Sequence, residues 1–190
     1  DLGLLLSDAG RGENDLSTLR QYGRAAPVSG TSGAGKSSLA ALYSYAAAVR
    51  GVRSSIYCFD ERIPTLLTRM RALGMPIDDH VASGLVKLRQ IDVSAVSPGR
   101  LSQMVRTDVE EHGAQIINLD SLSGYLQSMP GERELITQLH ELLGYLSGAG
   151  VLSLMVIATH GLFGEVETPV DVSYIADTVI LLRHFESRGE

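Results

Sequence analysis

The chain of 190 residues has one cysteine, Cys58, no tryptophan and only 5% aromatic residues. A single thiol can form neither an internal disulfide nor a zinc ribbon, so a reducing cytoplasm is the expected setting. The shortage of aromatic rings argues against a stacking platform for single-stranded nucleic acid. We therefore expect a cytoplasmic protein in which Cys58 packs in the core as a small apolar side chain.

Long hydrophobic runs are also missing. The longest run, residues 151–158, is interrupted by Ser153 and is far too short to span a membrane. No basic segment followed by an apolar segment opens the chain, so no secretory signal is expected. These features predict a protein without a membrane partner.

Positive charge is scarce as well. The 16 basic and 22 acidic side chains give a net charge of −6, which is not the balance of a protein with a broad nucleic-acid surface. Basic residues come at most as spaced pairs, such as Arg69 with Arg71, and such pairs indicate a solvated face. Nucleic acid is therefore not expected as a partner.

What the chain does have is an alternation of helical and strand-like patterns. Hydrophobic residues make up 44% of the sequence, enough for one well-buried core at this length. Helices are predicted over 37–50, 63–73, 97–113 and 133–147, and strands over 55–59, 85–91, 115–119, 151–158 and 178–182. This alternation predicts an α/β fold with a mainly parallel central sheet flanked by helices.

The domain prediction is a single domain over residues 1–190, with 1–29 left without a clear assignment. A strand should run into Gly30, but residues 25–29 are few and include Pro27. Proline cannot donate a hydrogen bond to a sheet. Either this strand is short or irregular, or further residues precede it.

The strongest motif follows directly, because residues 30–37 fit G-x-x-x-x-G-K-[ST] in full. Glycines let backbone N–H groups turn inward around phosphate oxygens, and the lysine places a cation on the β and γ phosphates. The hydroxyl of Ser37 is a hard ligand for Mg²⁺. The predicted nucleotide-binding residues are Gly30, Thr31, Ser32, Gly33, Ala34, Gly35, Lys36, Ser37 and Ser38.

Two further sites carry acids at the ends of predicted strands. Asp120 ends an apolar strand and is expected to hold Mg²⁺ from the side opposite Ser37, partly through water. Asp60 and Glu61 end the strand after the phosphate-loop helix, where a carboxylate can activate a nucleophile. The alternative for this pair is a charged helix N-terminus, where acids are favoured by the dipole.

Thr159 and His160 follow another buried strand. Polar groups at this position are candidate sensors of the γ-phosphate, and a plain exit from strand to loop is the alternative. The other histidines show no metal-ligand spacing.

In this order, the motifs resemble the KaiC-like branch of the RecA-type ATPases, the family of the circadian-clock ATPase. The resemblance covers residues 30–190 and implies a RecA-like P-loop fold, ATP with Mg²⁺, and a ring of six subunits with sites between them. The segments that carry it are SGTSGAGKSS, FDER, INLDSLSGYL, ATHGLFGE and VSYIADTVILLRHFESRGE.

Three departures from the family pattern qualify what the resemblance implies. The acidic pair is Asp60 and Glu61 where the clock protein has two glutamates. Ser173, the candidate phosphosite, and Tyr174 stand where its second domain has adjacent Ser and Thr, which argues against a clock-type autokinase cycle. The chain also stops before the strand that supplies basic residues to the neighbouring subunit, so its C-terminal end is expected to be truncated.

Three functions fit the sequence. The first is a slowly hydrolysing ATPase that acts as a regulatory ring, with a protein signalling partner. The second is a recombination or helicase motor of the same fold, which the net charge of −6 argues against. The third is a nucleotide-gated interaction protein with little turnover, against which the intact Lys36, Asp120 and acidic pair stand.

Overall fold

The computed structural model describes residues 25–128, 132–158 and 178–182. Strands and helices alternate through them. The strands are β1 (Ala25–Gly30), β2 (Ser54–Cys58), β3 (Val86–Gln90), β4 (Ile116–Asp120), β5 (Leu152–Ala158) and β6 (Ile180–Leu182). The helices are α1 (Lys36–Val49), α2 (Ile63–Ala72), α3 (Asp78–Ala82), α4 (Pro98–Glu110), α5 (Leu122–Ser128) and α6 (Glu132–Gly148).

The six strands form one sheet in the order β3-β2-β4-β5-β1-β6, and every adjacent pair is parallel. The prediction of an α/β fold with a mainly parallel sheet is therefore confirmed. Because β5 lies between β1 and β4, the phosphate-loop strand and the aspartate strand are separated by one strand. The carboxyl ends of all these strands meet at the same edge of the sheet.

Helices cover both faces of the sheet, and different side chains fill the two interfaces. Under α1 the buried residues are small, including Ala40 and Ala47, and they pack with Ile116 and Leu154. Small residues let the helix lie close to the strands. On the opposite face the larger core contains Leu101, Leu119, Tyr125, Leu143 and Met155.

Cys58 belongs to a third apolar cluster, between the sheet and α2. The thiol is buried beside Ile56, Leu66 and Met70, as the sequence predicted. Burial, together with the nearby Asp120 charge, raises the pKa of Cys58 to about 12. The thiol is therefore protonated at neutral pH, and the side chain contributes to the packing of the apolar core.

The start of α4 shows how local sequence sets a helix boundary. The Ser97 side chain accepts a hydrogen bond from the Arg100 N–H, and Pro98 occupies the first helical position. Both features were predicted from the sequence. The helix ends at Glu110, three residues before the predicted end at Gly113, whose φ is 66°.

Pro27 lies in β1 without disrupting the sheet. The Ala25 carbonyl accepts a hydrogen bond from the Thr178 N–H, so the odd-numbered residues of β1 direct their backbone groups toward the β6 side. The pairing with β6 begins only at Val28, opposite Ile180. The donor that Pro27 lacks therefore falls before the stretch that is paired with β6.

Two helices were not predicted. The first, α3, has only five residues. The second, α5, begins two residues after β4, in a stretch that contains two serines and Gly124, which are weak helix formers. Its buried Leu122 and Tyr125 dock it on the sheet, so tertiary packing determines this helix.

The longest helix that the structure describes has 17 residues, and none of the helices is long and apolar enough to cross a bilayer.

Candidate functional site

A cleft of about 430 Å³ opens at the carboxyl edge of the sheet, where α/β proteins bind ligands. The β1–α1 connection and the ends of β2, β4 and β5 surround it. Six of the nine predicted nucleotide-binding residues line this cleft, together with the two acids after β2 and Asp120. The lining residues are Ser32, Gly33, Gly35, Lys36, Ser37, Ser38, Asp60, Glu61, Arg69, Asp120, Ser121, Val156 and Ala158.

The loop between β1 and α1 depends on glycine at two positions. A Cβ on Gly30 would overlap the backbone carbonyl oxygen of Leu182 in β6. Gly35 has a φ of 90° immediately before α1, a conformation that side chains disfavour. The first helical hydrogen bond runs from the Leu39 N–H to the Gly35 carbonyl, so the preceding amides at the helix start are available to an anion.

Lys36 lies inside this loop, with only 8% of its surface exposed. Its Nζ donates to the Thr31 carbonyl oxygen at 2.6 Å. Burial lowers the pKa of Lys36, and the charge of Asp120 acts in the opposite direction. A buried ammonium at the N-terminus of α1 fits a phosphate group in charge and in position.

Ser37 and Asp120 meet across the cleft. The Ser37 Oγ donates to the Asp120 Oδ1 at 2.9 Å, and the carboxylate is 7% exposed at the end of β4. Burial raises the pKa of Asp120, while the Ser37 hydrogen bond and the Arg69 charge act against that increase. These two oxygens form a hard donor pair of the kind that Mg²⁺ prefers.

No group of three or more His, Cys, Asp or Glu side chains that could hold a metal ion occurs within the described residues.

Asp60 and Glu61 follow β2 and line the cleft, but neither of them caps α2. Arg62 is the N-cap residue and makes no side-chain cap bond, and the Ile63 N–H donates to the Gln90 Oε1 at 3.1 Å. Both acids therefore lie just before the N-terminus of α2, where the dipole favours them, without capping the helix. Asp60 packs against Gly124 of α5, where an added Cβ would lie 2.5 Å from the Asp60 Oδ1.

Arg69 is the charged residue among the described lining of the cleft that the sequence did not identify as part of the site. It forms a bidentate pair with Glu61 (Nε to Oε1 3.1 Å, Nη2 to Oε2 2.6 Å), and its Nη1 donates to the Ser38 Oγ at 2.9 Å. The prediction of a solvated pair with Arg71 is wrong for Arg69. Arg71 instead makes an exposed pair with Asp78.

The sequence held one signal for this arrangement. Leu66 and Met70 form the buried stripe of α2, and Arg69 and Arg71 flank it. Which flank faces α1 depends on how the helix lies on the sheet, and the sequence alone does not specify this.

The candidate sensors Thr159 and His160 and the candidate phosphosite Ser173 lie outside the described residues. The strand before the sensors ends at Ala158, whose N–H donates to the Ser123 Oγ at 2.8 Å. This bond joins the end of β5 to the start of α5 beside the cleft.

Comparison with known proteins agrees with this geometry. The family described as the KaiC ATPases matches residues 20–190. The chain is 23% identical over 166 residues to the circadian clock oscillator protein KaiC of Picosynechococcus sp., covering 86% of this chain and 32% of that protein. It is 24% identical over 177 residues to the KaiC of Rippkaea orientalis, covering 85% and 33% respectively.

A third relative is the circadian clock protein KaiC3 of Synechocystis sp., 24% identical over 171 residues, with 85% of this chain and 34% of that protein covered. The chain thus spans about a third of the length of these relatives. Together with the parallel sheet, the family match confirms the predicted RecA-like P-loop ATPase fold.

Proposed function

We propose that this chain, which belongs to the KaiC family of ATPases, binds Mg-ATP in the cleft and hydrolyses it slowly. The observation that carries the proposal is the meeting of Ser37 with Asp120 beside the buried Lys36. A phosphate-binding cation and a pair of hard oxygen donors then lie on adjacent walls of one cleft. Phosphoryl transfer depends mainly on such positioning and charge stabilisation.

Each part of the cleft has a role in this proposal. The amides of the loop and the Lys36 ammonium hold the β and γ phosphates, and Ser37 and Asp120 hold Mg²⁺. When bound, the ion neutralises charge on the phosphate oxygens. Asp60 and Glu61 supply the carboxylates that orient and deprotonate the attacking water.

We expect slow turnover because the cleft offers little positive charge to the γ-phosphate. Of the described residues that line the cleft, only Lys36 and Arg69 are cationic, and the charge of Arg69 is already paired with that of Glu61. An added arginine finger accelerates phosphoryl transfer by roughly 10³- to 10⁵-fold. We propose that a neighbouring subunit supplies such a cation in a ring, which the family resemblance implies to be a hexamer.

The biological role that we propose is regulation. The net charge of −6 and the absence of tryptophan support a protein signalling partner in the cytoplasm over a motor that moves on nucleic acid.

A ligand-induced stabilisation assay tests nucleotide binding. At a hundredfold excess over Kd, Mg-ATP should stabilise the protein by about 2.7 kcal/mol. Lys36→Ala should lose most of this effect, because it removes the buried cation of the loop. Arg71→Ala, which removes an exposed cation outside the cleft, is the matched control and should behave like the wild type. Equal stabilisation of Lys36→Ala and the wild type would contradict the proposed phosphate site.

A further inference from the structure

The two acids of the cleft have different surroundings. Both oxygens of Glu61 accept hydrogen bonds from Arg69, and the two side chains are 26% and 25% exposed respectively. Asp60 makes no hydrogen bond to another described residue and is exposed at the cleft, with its Oδ1 facing Gly124. The structure therefore distinguishes two carboxylates that the sequence left equivalent.

The partner of Glu61 is also tied to the phosphate loop. Arg69 uses its third donor group on the Ser38 hydroxyl, one residue after the magnesium-ligand candidate Ser37. A guanidinium is planar and its donors are fixed relative to one another, so a bidentate pair plus one further bond defines its position. Glu61, Arg69 and Ser38 thus connect the end of β2 and helix α2 to the first turn of α1.

We propose that Arg69 is a positioning residue that gives the two acids, Asp60 and Glu61, different roles. It holds Glu61 against Ser38 as a fixed wall of the cleft and leaves Asp60 as the carboxylate that accepts the proton of the attacking water. The inference rests on the ATP hydrolysis proposed above and assigns the acid that carries it out.

The reaction step is balanced without further reagents. The water oxygen bonds to the γ-phosphorus, and the bond from that phosphorus to the bridging oxygen breaks, with its electron pair leaving on ADP. One proton of the water passes to Asp60, which returns it to the released phosphate or to solvent. Glu61 and Arg69 form and break no covalent bond in this step.

The geometry also bears on a different role for Arg69, direct contact with the γ-phosphate. Three of the five N–H donors of Arg69 already serve Glu61 and Ser38, so a phosphate contact would use the second N–H of Nη1 or Nη2 or replace one of these bonds. A phosphate-binding Arg69 contributes to substrate affinity, so its loss should raise KM. A positioning Arg69 contributes to alignment of the reacting groups, so its loss should lower kcat.

The test is steady-state Mg-ATP hydrolysis by the protein and six variants, each checked for folding by thermal melting. Asp60→Asn should lower kcat by roughly 10²- to 10⁴-fold, the usual contribution of a general base. Glu61→Gln and Arg69→Gln should each lower kcat by roughly tenfold, less than Asp60→Asn does, because they misplace the reacting groups slightly without removing the base. Their KM values should change less than about threefold.

The double variant Glu61→Gln with Arg69→Gln should have a kcat no lower than that of the slower single variant. Both changes remove the same interaction, the pair between Glu61 and Arg69, so their effects should not add. Arg69→Lys keeps the charge but has a single donor nitrogen in place of the planar guanidinium, and it should recover part of the lost kcat. Arg71 lies on the same helix as Arg69 and forms an exposed ion pair with Asp78. Arg71→Gln removes this pair and should leave kcat and KM as in the wild type.

Three results would overturn the inference. The first is a loss of kcat in Glu61→Gln as large as that in Asp60→Asn, and the second is a raised KM with unchanged kcat in Arg69→Gln. The third is a loss of kcat in the double variant that equals the sum of the two single losses in free energy. A wild-type protein that binds Mg-ATP without hydrolysing it would instead overturn the proposed hydrolysis. The two failures are therefore distinguishable.

Discussion

The Ser37 hydroxyl and the Asp120 carboxylate are 83 positions apart in the chain and are joined by a 2.9 Å hydrogen bond. One lies in the first turn of α1 and the other at the end of β4. Because β5 separates β1 from β4 in the sheet, the contact depends on α1 crossing the sheet toward β4. The fold thus brings the two candidate Mg²⁺ donors together within the protein itself.

The first prediction concerns Asp120→Ala. ATP should still bind through the loop and Lys36, but the Mg²⁺ concentration for half-maximal stabilisation by ATP should rise by roughly tenfold or more, because a charged ligand is lost. Thermal melting with fixed ATP and increasing Mg²⁺ measures this. Asp79→Ala, which removes an exposed acid outside the cleft, is the control. An unchanged Mg²⁺ requirement in Asp120→Ala would exclude this residue as a ligand.

The phosphate loop and Asp120 could be predicted because their signals are local. Residues 30–37 carry a complete motif, and Asp120 ends an apolar run that the structure buries as β4. Arg69 could not be assigned in the same way, since its position depends on the rotation of α2 over the sheet. Helix α5 was missed because burial of Leu122 and Tyr125, and not helix propensity, determines it.

The second prediction compares two glycines. Gly30→Ala should destabilise the protein by about 1–3 kcal/mol, because the new methyl group overlaps the Leu182 carbonyl between β1 and β6. Gly144→Ala should stabilise it by about 0.5–1 kcal/mol, since Gly144 lies in α6 with no atom within 4 Å of the added Cβ. Urea unfolding of both variants measures the difference. A stable Gly30→Ala variant would show that β6 can move away from the loop.

The third prediction concerns Asp108, which is fully buried in α4. Its carboxylate accepts hydrogen bonds from Tyr57 at 2.6 Å and from Arg89 at 2.7 and 2.6 Å, and Lys87 lies 2.9 Å away. Burial alone would raise the pKa of Asp108, but Arg89, Tyr57 and Lys87 hold that pKa well below its usual range. This cluster joins α4 to β2 and β3.

Asp108→Asn should therefore lower the free energy of unfolding by about 3 kcal/mol at pH 7, since the partly exposed Arg89 and Lys87 lose the buried carboxylate that pairs with both of them. A carboxylate with a lowered folded-state pKa stabilises the protein above its unfolded pKa of about 4, and this contribution is lost as the pH falls further. The difference in the free energy of unfolding between the wild type and Asp108→Asn should accordingly become smaller below about pH 4. Asp78→Asn, at the exposed pair with Arg71, should change stability little. If the difference in unfolding free energy between the two proteins did not change with pH, Asp108 would not have a lowered pKa in the folded state.

The last prediction concerns assembly. Lys36 and Arg69 are the cations among the described cleft residues, and Arg69 is held by Glu61 and Ser38. If a neighbouring subunit supplies the charge that the γ-phosphate needs, each site is complete only in an assembly. Head-to-tail contacts of this kind close into rings.

Specific ATPase activity should therefore rise with protein concentration, and light scattering with Mg-ATP should show the assembled species over the same concentration range. Lys36→Ala provides the control, because a protein that does not hold ATP should not assemble in response to it. A monomer with full activity at every dilution would place the missing cation within the same chain. In that case release of Arg69 from Glu61 would be the first arrangement to test, since no other cationic side chain of the described residues lines the cleft.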